Sequence, residues 1–148
     1  MFFIDKNNNS LYQVPPSDAK VSDRLATQAE IDVYLLNQAR TVQLNLIKQG
    51  FNNQAYGLVS FKGTTFQADE ESRARLLSTL AAWTATTLPT GFFWVDSLNN
   101  QVPMTYTDLQ NLLAAGATQF FTAFQRLQTL KGQINSATTV SAVNLVIW

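Results

Sequence analysis

The chain has no cysteine and no histidine among its 148 residues. Without thiols there are no disulfides and no thiolate metal sites, and cysteine usage says nothing about redox compartment. Without imidazole, Ser-His-Asp and Cys-His catalysis are excluded, together with the usual zinc ligand sets and the commonest general base near neutral pH. Charge is scarce too: 14% of the residues are charged, against roughly 25% in an average soluble protein. Ten basic and ten acidic residues cancel, and no run of either sign occurs, so the electrostatic footprint of a nucleic-acid or anionic-membrane binder is missing. No window approaches the roughly 18 apolar residues of a membrane span. The opening Met-Phe-Phe-Ile runs straight into Asp5, Lys6 and three asparagines, without the basic start and apolar run of a signal peptide, so synthesis in the cytosol is expected. No cofactor, metal, nucleic acid or membrane partner is expected.

What is present points to architecture. Hydrophobic residues make up 46% of the chain, enough at this length for one domain with a modest core and a small appendage, its surface covered by Gln, Asn, Thr and Ser. The dominant stretch is Thr105 to Asn135. Leu109, Leu113, Gly116, Phe120, Ala123, Leu127, Leu130 and Ile134 recur at spacings of four and three, an unbroken apolar or small seam on one side of a helix. At about 30 residues such a helix runs roughly 45 Å, long enough to be a spine for its own domain or a contact surface for other copies. Thr105-x-x-Asp108 resembles a capping arrangement at its start, and Asn135-Ser136 ends it.

Upstream, Phe2 to Ile4 and Leu11 to Val14 flank a cluster of turn formers and read as a β-hairpin. Pro15-Pro16 stiffens its exit and a polar connector follows, placing a boundary near residue 26: residues 1–26 as an attachment element, 27–148 as the body. Thr27-x-x-Glu30 has the form of a capping box and predicts a helix from Gln28 to about Gln49, ended by Gly50. Its apolar stripe is Ile31, Leu35, Ala39, Val42 and Leu46, widened by Tyr34 and Leu36. Leu58 to Phe61 and Thr65-Phe66 form a second hairpin around Lys62-Gly63-Thr64. Asp69 then caps a helix that buries Leu76, Leu77, Leu80 and Trp83. Phe92 to Val95 and Gln101 to Met104 make a third strand pair, with Pro103 marking an edge or an end. Thr138 caps a last short helix through about Asn144. Helices alternating with short local hairpins give an α+β fold with antiparallel ribbons.

The order Gly63-Thr64-Thr65-Phe66-Gln67-Ala68-Asp69, then Trp94 ahead of Asn99-Asn100 and Val102-Pro103-Met104-Thr105, then Leu130-Lys131-Gly132-Gln133-Ile134 and Ala137-Thr138, resembles a domain family of unknown function found in tailed-bacteriophage tail-fibre and baseplate-associated proteins. The resemblance covers roughly residues 27 to 148. It implies a virion tail component with other tail proteins as partners, and it brings no catalytic residues. The alternative it leaves open is a tail-fibre assembly chaperone not retained in the virion.

Several features admit sharper readings. Asp69-Glu70-Glu71 could supply a glycosidase acid pair, but adjacent acids opening a helix are explained by capping and the helix dipole. Phe92-Phe93-Trp94 alternates across a strand, so one face is expected to be core and not a carbohydrate platform. Of the pair Phe120-Phe121, Phe120 sits on the seam and Phe121, next to Phe124, widens the apolar face of the long helix; packing against the domain's own first two helices is expected, with self-association as the alternative. Gly116 on the seam implies close approach of another element. The expected partner contact is Phe2, Phe3, Tyr12 and Val14, because a two-stranded ribbon cannot bury both faces by itself; the alternative is that it folds back onto an internal sheet. Trp148 admits the same two readings, partner contact or closure of the core.

Overall fold

The computed structural model describes residues 1–20 and 22–148. In chain order the elements are β1 (Phe2–Ile4), β2 (Leu11–Gln13), a 3-10 turn (Pro16–Asp18), β3 (Arg24–Leu25), α1 (Gln28–Ala55), β4 (Val59–Phe61), β5 (Thr64–Phe66), α2 (Glu70–Ala82), β6 (Phe93–Val95), β7 (Gln101–Pro103), α3 (Tyr106–Ser136) and α4 (Val140–Asn144). The fold is α+β, with small antiparallel sheets and a long helix near the C-terminus.

The helix starts are built as the sequence indicates. In the capping box of α1, Thr27 N–H donates to Glu30 Oε2 at 2.8 Å and Glu30 N–H donates to Thr27 Oγ1 at 3.4 Å. The same reciprocal pair opens α3, with Asp108 in place of glutamate. Asp69 accepts from Ser72 N–H at 2.8 Å to open α2, and Thr139, not Thr138, caps α4. The β4–β5 turn has Lys62 at φ 49° and Gly63 at φ 78°, the left-handed pair a two-residue hairpin loop requires.

Two compact units result: Met1–Leu46 with Lys131–Ile147, and Ile47–Leu130 with Trp148. The boundary expected near residue 26 lies inside the first of these units. Helices α1 and α3 contribute residues to both units. In the first unit the ribbon is a three-stranded sheet of order β2-β1-β3, not a lone hairpin, because Arg24 and Leu25 return to pair with Ile4 and Phe3. Its buried apolar residues include Phe3, Ile4, Ile134 and Val143.

The second unit has a core of Val59, Phe66, Ala68, Leu76, Met104, Leu109 and Leu112, with Leu80, Phe92 and Trp94 packed against it. The core reading of Phe92 and Trp94 thus agrees with their positions, while Phe93 is exposed. Other expectations are corrected. Gly50 does not end α1: the helix runs through it to Ala55, and a Cβ there would lie 2.2 Å from Trp148 Cγ. The glycine is required because the indole lies on the helix backbone. Trp148 packs within this unit, against Phe51 and under the Arg126 guanidinium at 5.0 Å. Leu77 is exposed, and Ser72 takes a buried place on α2. Phe121 and Phe124 are exposed as well, and the Phe124 ring stacks on Phe120 of the same helix at 6.4 Å. A Cβ on Gly116 would meet only Arg73 Nε, at 3.8 Å, so that position has room for a methyl group.

Candidate partner interface

The four ribbon residues expected to meet a partner are held by their own unit. Phe3 is 7% exposed and stacks on Tyr12 with ring centroids 6.0 Å apart. Phe2, Tyr12 and Val14 are half-buried. The Phe2 ring meets Tyr34 of α1 edge-on at 5.9 Å. The Tyr12 hydroxyl donates to Asp23, which holds the Asp23 carboxyl below its ordinary range and raises the phenol. Neighbouring Phe3 and Ile4 are both buried although a strand points them to opposite sides, so β1 is covered on both faces. Phe3 is not available to a partner. The sequence could not show this, because β3 is two residues long and has no pattern of its own.

The larger free apolar surface of this unit is on α1. Leu35, Val42 and Leu46 are 38%, 58% and 49% exposed, although they belong to the stripe expected to face the core. With Ala39 they recur at spacings of four, three and four, the heptad seam of a helix that pairs with another helix. The inward-facing line of this unit lies one residue further on, at Leu36, Arg40 and Gln43, and its last two members are polar. Backbone carbonyls accept from the ends of both side chains. Arg40 Nη2 donates to the carbonyls of Asn135 at 3.3 Å and Ala137 at 2.8 Å, where α3 ends. Gln43 Nε2 donates to Val146 O at 2.5 Å. A cation is favoured at a helix C-terminus, where carbonyls lack partners and the dipole is negative. Leu145 and Ile147, in the same unit, are 78% and 69% exposed.

The carboxylates serve the backbone. Glu30 is held down to about 2 by the paired Arg24 guanidinium and the Thr27 N–H and hydroxyl. Asp96 is buried and accepts from Asn100 N–H, Leu98 N–H, the Asn100 amide and the Thr64 hydroxyl, which lower its pKa against the opposing effect of burial. Asp5, Asp69 and Asp108 are lowered by the Lys20 ammonium, the Ser72 N–H and the Thr105 N–H respectively. A general acid needs the opposite displacement, a carboxyl raised toward neutral pH. Asp69, Glu70 and Glu71 open α2 as a cap, Glu71 pairing with Arg75. Among the described residues no group of three or more Asp or Glu is placed to hold a metal, and no helix is long and apolar enough to cross a membrane.

Most of α1, all of α3 and the β4–β5 and β6–β7 hairpins fall within residues 35–147, which match the model of the domain of unknown function DUF4376. The chain belongs to the DUF4376 family. The matched residues of this DUF4376 protein begin at Leu35, inside α1, and leave out the N-terminal sheet. No curated protein and no solved structure matches the chain.

Proposed function

We propose that this DUF4376 chain is a non-enzymatic structural component of a bacteriophage tail, at the fibre or baseplate, working by protein–protein attachment in a symmetric assembly. The tail setting rests on the sequence resemblance of residues 27 to 148. The observation that carries attachment is the seam on α1 of exposed Leu35, Val42 and Leu46 with half-buried Ala39 between them. Its heptad spacing suits a second copy of the same helix, and burying a branched apolar side chain contributes about 1.5 to 3 kcal/mol at full burial. The contact surface is thus moved from the ribbon to the helix behind it. Carboxylates lowered by hydrogen bonds support a role without acid–base chemistry.

Quantitative mass spectrometry of washed infectious particles, scaled to the major capsid protein, tests the tail setting. A fixed stoichiometry in small multiples of a symmetric ring is expected. Absence from the particles with abundance in the infected lysate would reject the virion role and favour the assembly chaperone.

A further inference from the structure

Strand β6 pairs only with β7, so its other edge is open within the sheet. The register is Phe93 opposite Pro103, Trp94 opposite Val102 and Val95 opposite Gln101. On either side, Met104 N–H donates to Phe92 O at 3.1 Å and Asp96 N–H donates to Asn100 O at 3.0 Å. Antiparallel pairs alternate between bonded and non-bonded positions, which makes Trp94–Val102 bonded and leaves the backbone N–H and C=O of Phe93 and Val95 directed away from β7. Pro103, with no N–H, stands opposite Phe93, where the ladder needs none. Next along that edge, Ser97 N–H donates to Thr65 O at 2.8 Å, so β5 occupies the position beyond Val95 and leaves the two before it open.

These open positions face a cleft of about 500 Å³. One wall is residues 92–96, five in succession. Successive strand residues point to opposite faces, so a wall made of all of them is the strand's edge. The other wall is Ser72, Arg75, Thr79 and Trp83, one side of α2 and its C-cap. Trp83, Phe92 and Trp94 supply flat apolar surface, with Phe92 5.9 Å from Trp83 and 6.4 Å from Trp94. Of the two ionisable residues lining the cleft, Asp96 has its carboxylate engaged in its own turn, and Arg75 donates to Ser72 Oγ at 3.2 Å and is ion-paired with exposed Glu71, a contact of small strength. The charge offered to an incoming group is therefore positive.

We propose that the cleft between β6 and α2 binds an extended peptide segment of a partner protein as an added strand, with a large apolar side chain against the tryptophans and an acidic one at Arg75. Main-chain bonds to Phe93 and Val95 give affinity, and the aromatic wall gives selectivity. The site lies in the second unit and does not depend on the tail setting or on the α1 seam.

The test uses the full chain as bait for a displayed library of random short peptides. Two variants serve as counter-selections. Thr79→Trp fills the cleft from α2, and Val95→Pro removes an edge N–H that the β7 ladder does not use. Circular dichroism checks that both keep their helix content. Enrichment on the native chain alone is expected, for sequences alternating in polarity around one aromatic or branched apolar residue with an acid nearby. A blocked synthetic peptide of the leading sequence should slow amide exchange at Phe93 and Val95, and N-methylation of its strand-facing amides should weaken binding about tenfold or more. No enrichment over the folded variants, tolerance of N-methylation at every position, or protection of other amides would overturn the proposal. Self-association that protects the same two amides would also overturn it, making the occupant a second copy.

Discussion

Both units set an arginine against the carbonyl end of a long helix, and they surround it differently. In the second unit Arg73 Nη2 donates to Ala55 O at 2.5 Å, at the end of α1, and to Gly116 O at 3.2 Å. Its guanidinium lies 5.3 Å from the centroids of both Tyr56 and Phe120, and Gln119 donates to Gln54 O and Gly57 O beside it. In the first unit Arg40 meets the carbonyls ending α3, with no aromatic ring over it among the described residues. Neither arginine has a carboxylate partner among the described residues, and the Nε of each is buried without an acceptor. Helix-end carbonyls are enough to hold a half-buried cation, and aromatic faces can add a second layer of binding at an equally half-buried position.

The largest expected effect is at Arg73. Arg73→Ala leaves the Ala55 carbonyl at the end of α1 without its donor and empties the space between two rings, a loss of about 3 kcal/mol. Urea unfolding followed by tryptophan fluorescence reads it well, since Trp83, Trp94 and Trp148 all belong to that unit. Arg40→Ala, without the aromatic layer, should lose about 1 to 2 kcal/mol by circular dichroism. Equal losses would remove the aromatic contribution from the comparison.

Two mid-helix glycines in the second unit sharpen it further. Gly116→Ala should stabilise by up to about 1 kcal/mol, because the added methyl meets only Arg73 Nε at 3.8 Å and alanine is the better helix former. Gly50→Ala should instead expel Trp148, seen as a red-shifted emission. In a Trp148→Ala background the same change should become stabilising by about 1 kcal/mol. A destabilising Gly50→Ala in both backgrounds would show that the indole is not what the glycine accommodates.

The smallest effect is at the start of α1. Glu30 has its pKa lowered on folding from 4.5 to about 2, so its contribution is fully present above pH 4.5 and is lost as pH falls from there through about 2. Glu30→Gln should flatten that dependence in the exchange rate of the Thr27 amide, and an unchanged profile would reject the Arg24–Glu30–Thr27 cap.

The elements were legible because their signals are local. Caps at Thr27, Asp69 and Thr105, the turn at Lys62-Gly63 and the seam of α3 each lie within a few residues of the structure they direct. The seam from Leu109 to Ile134 is buried or half-buried throughout. What was not legible depends on residues far apart in sequence. Arg40 is an inward residue only because Ala137 O waits for it, and that pairing leaves Leu35, Val42 and Leu46 outside. An apolar-stripe rule reads such a helix one residue out of phase. The role of Gly50 was hidden in the same way, since its cause is Trp148 at the other end of the sequence. The ribbon residues Phe2, Phe3, Tyr12 and Val14 were a reasonable expectation from two strands, and β3 and Tyr34 supply the missing cover.

Sedimentation equilibrium of the full chain beside Val42→Glu and Leu46→Glu tests whether the protein assembles through the α1 seam. The account predicts a concentration-dependent oligomer for the native chain and monomers of unchanged helix content for both variants. A native chain that stays monomeric up to high micromolar concentration, or variants that associate as strongly as it does, would contradict the α1 seam as the surface through which this protein assembles.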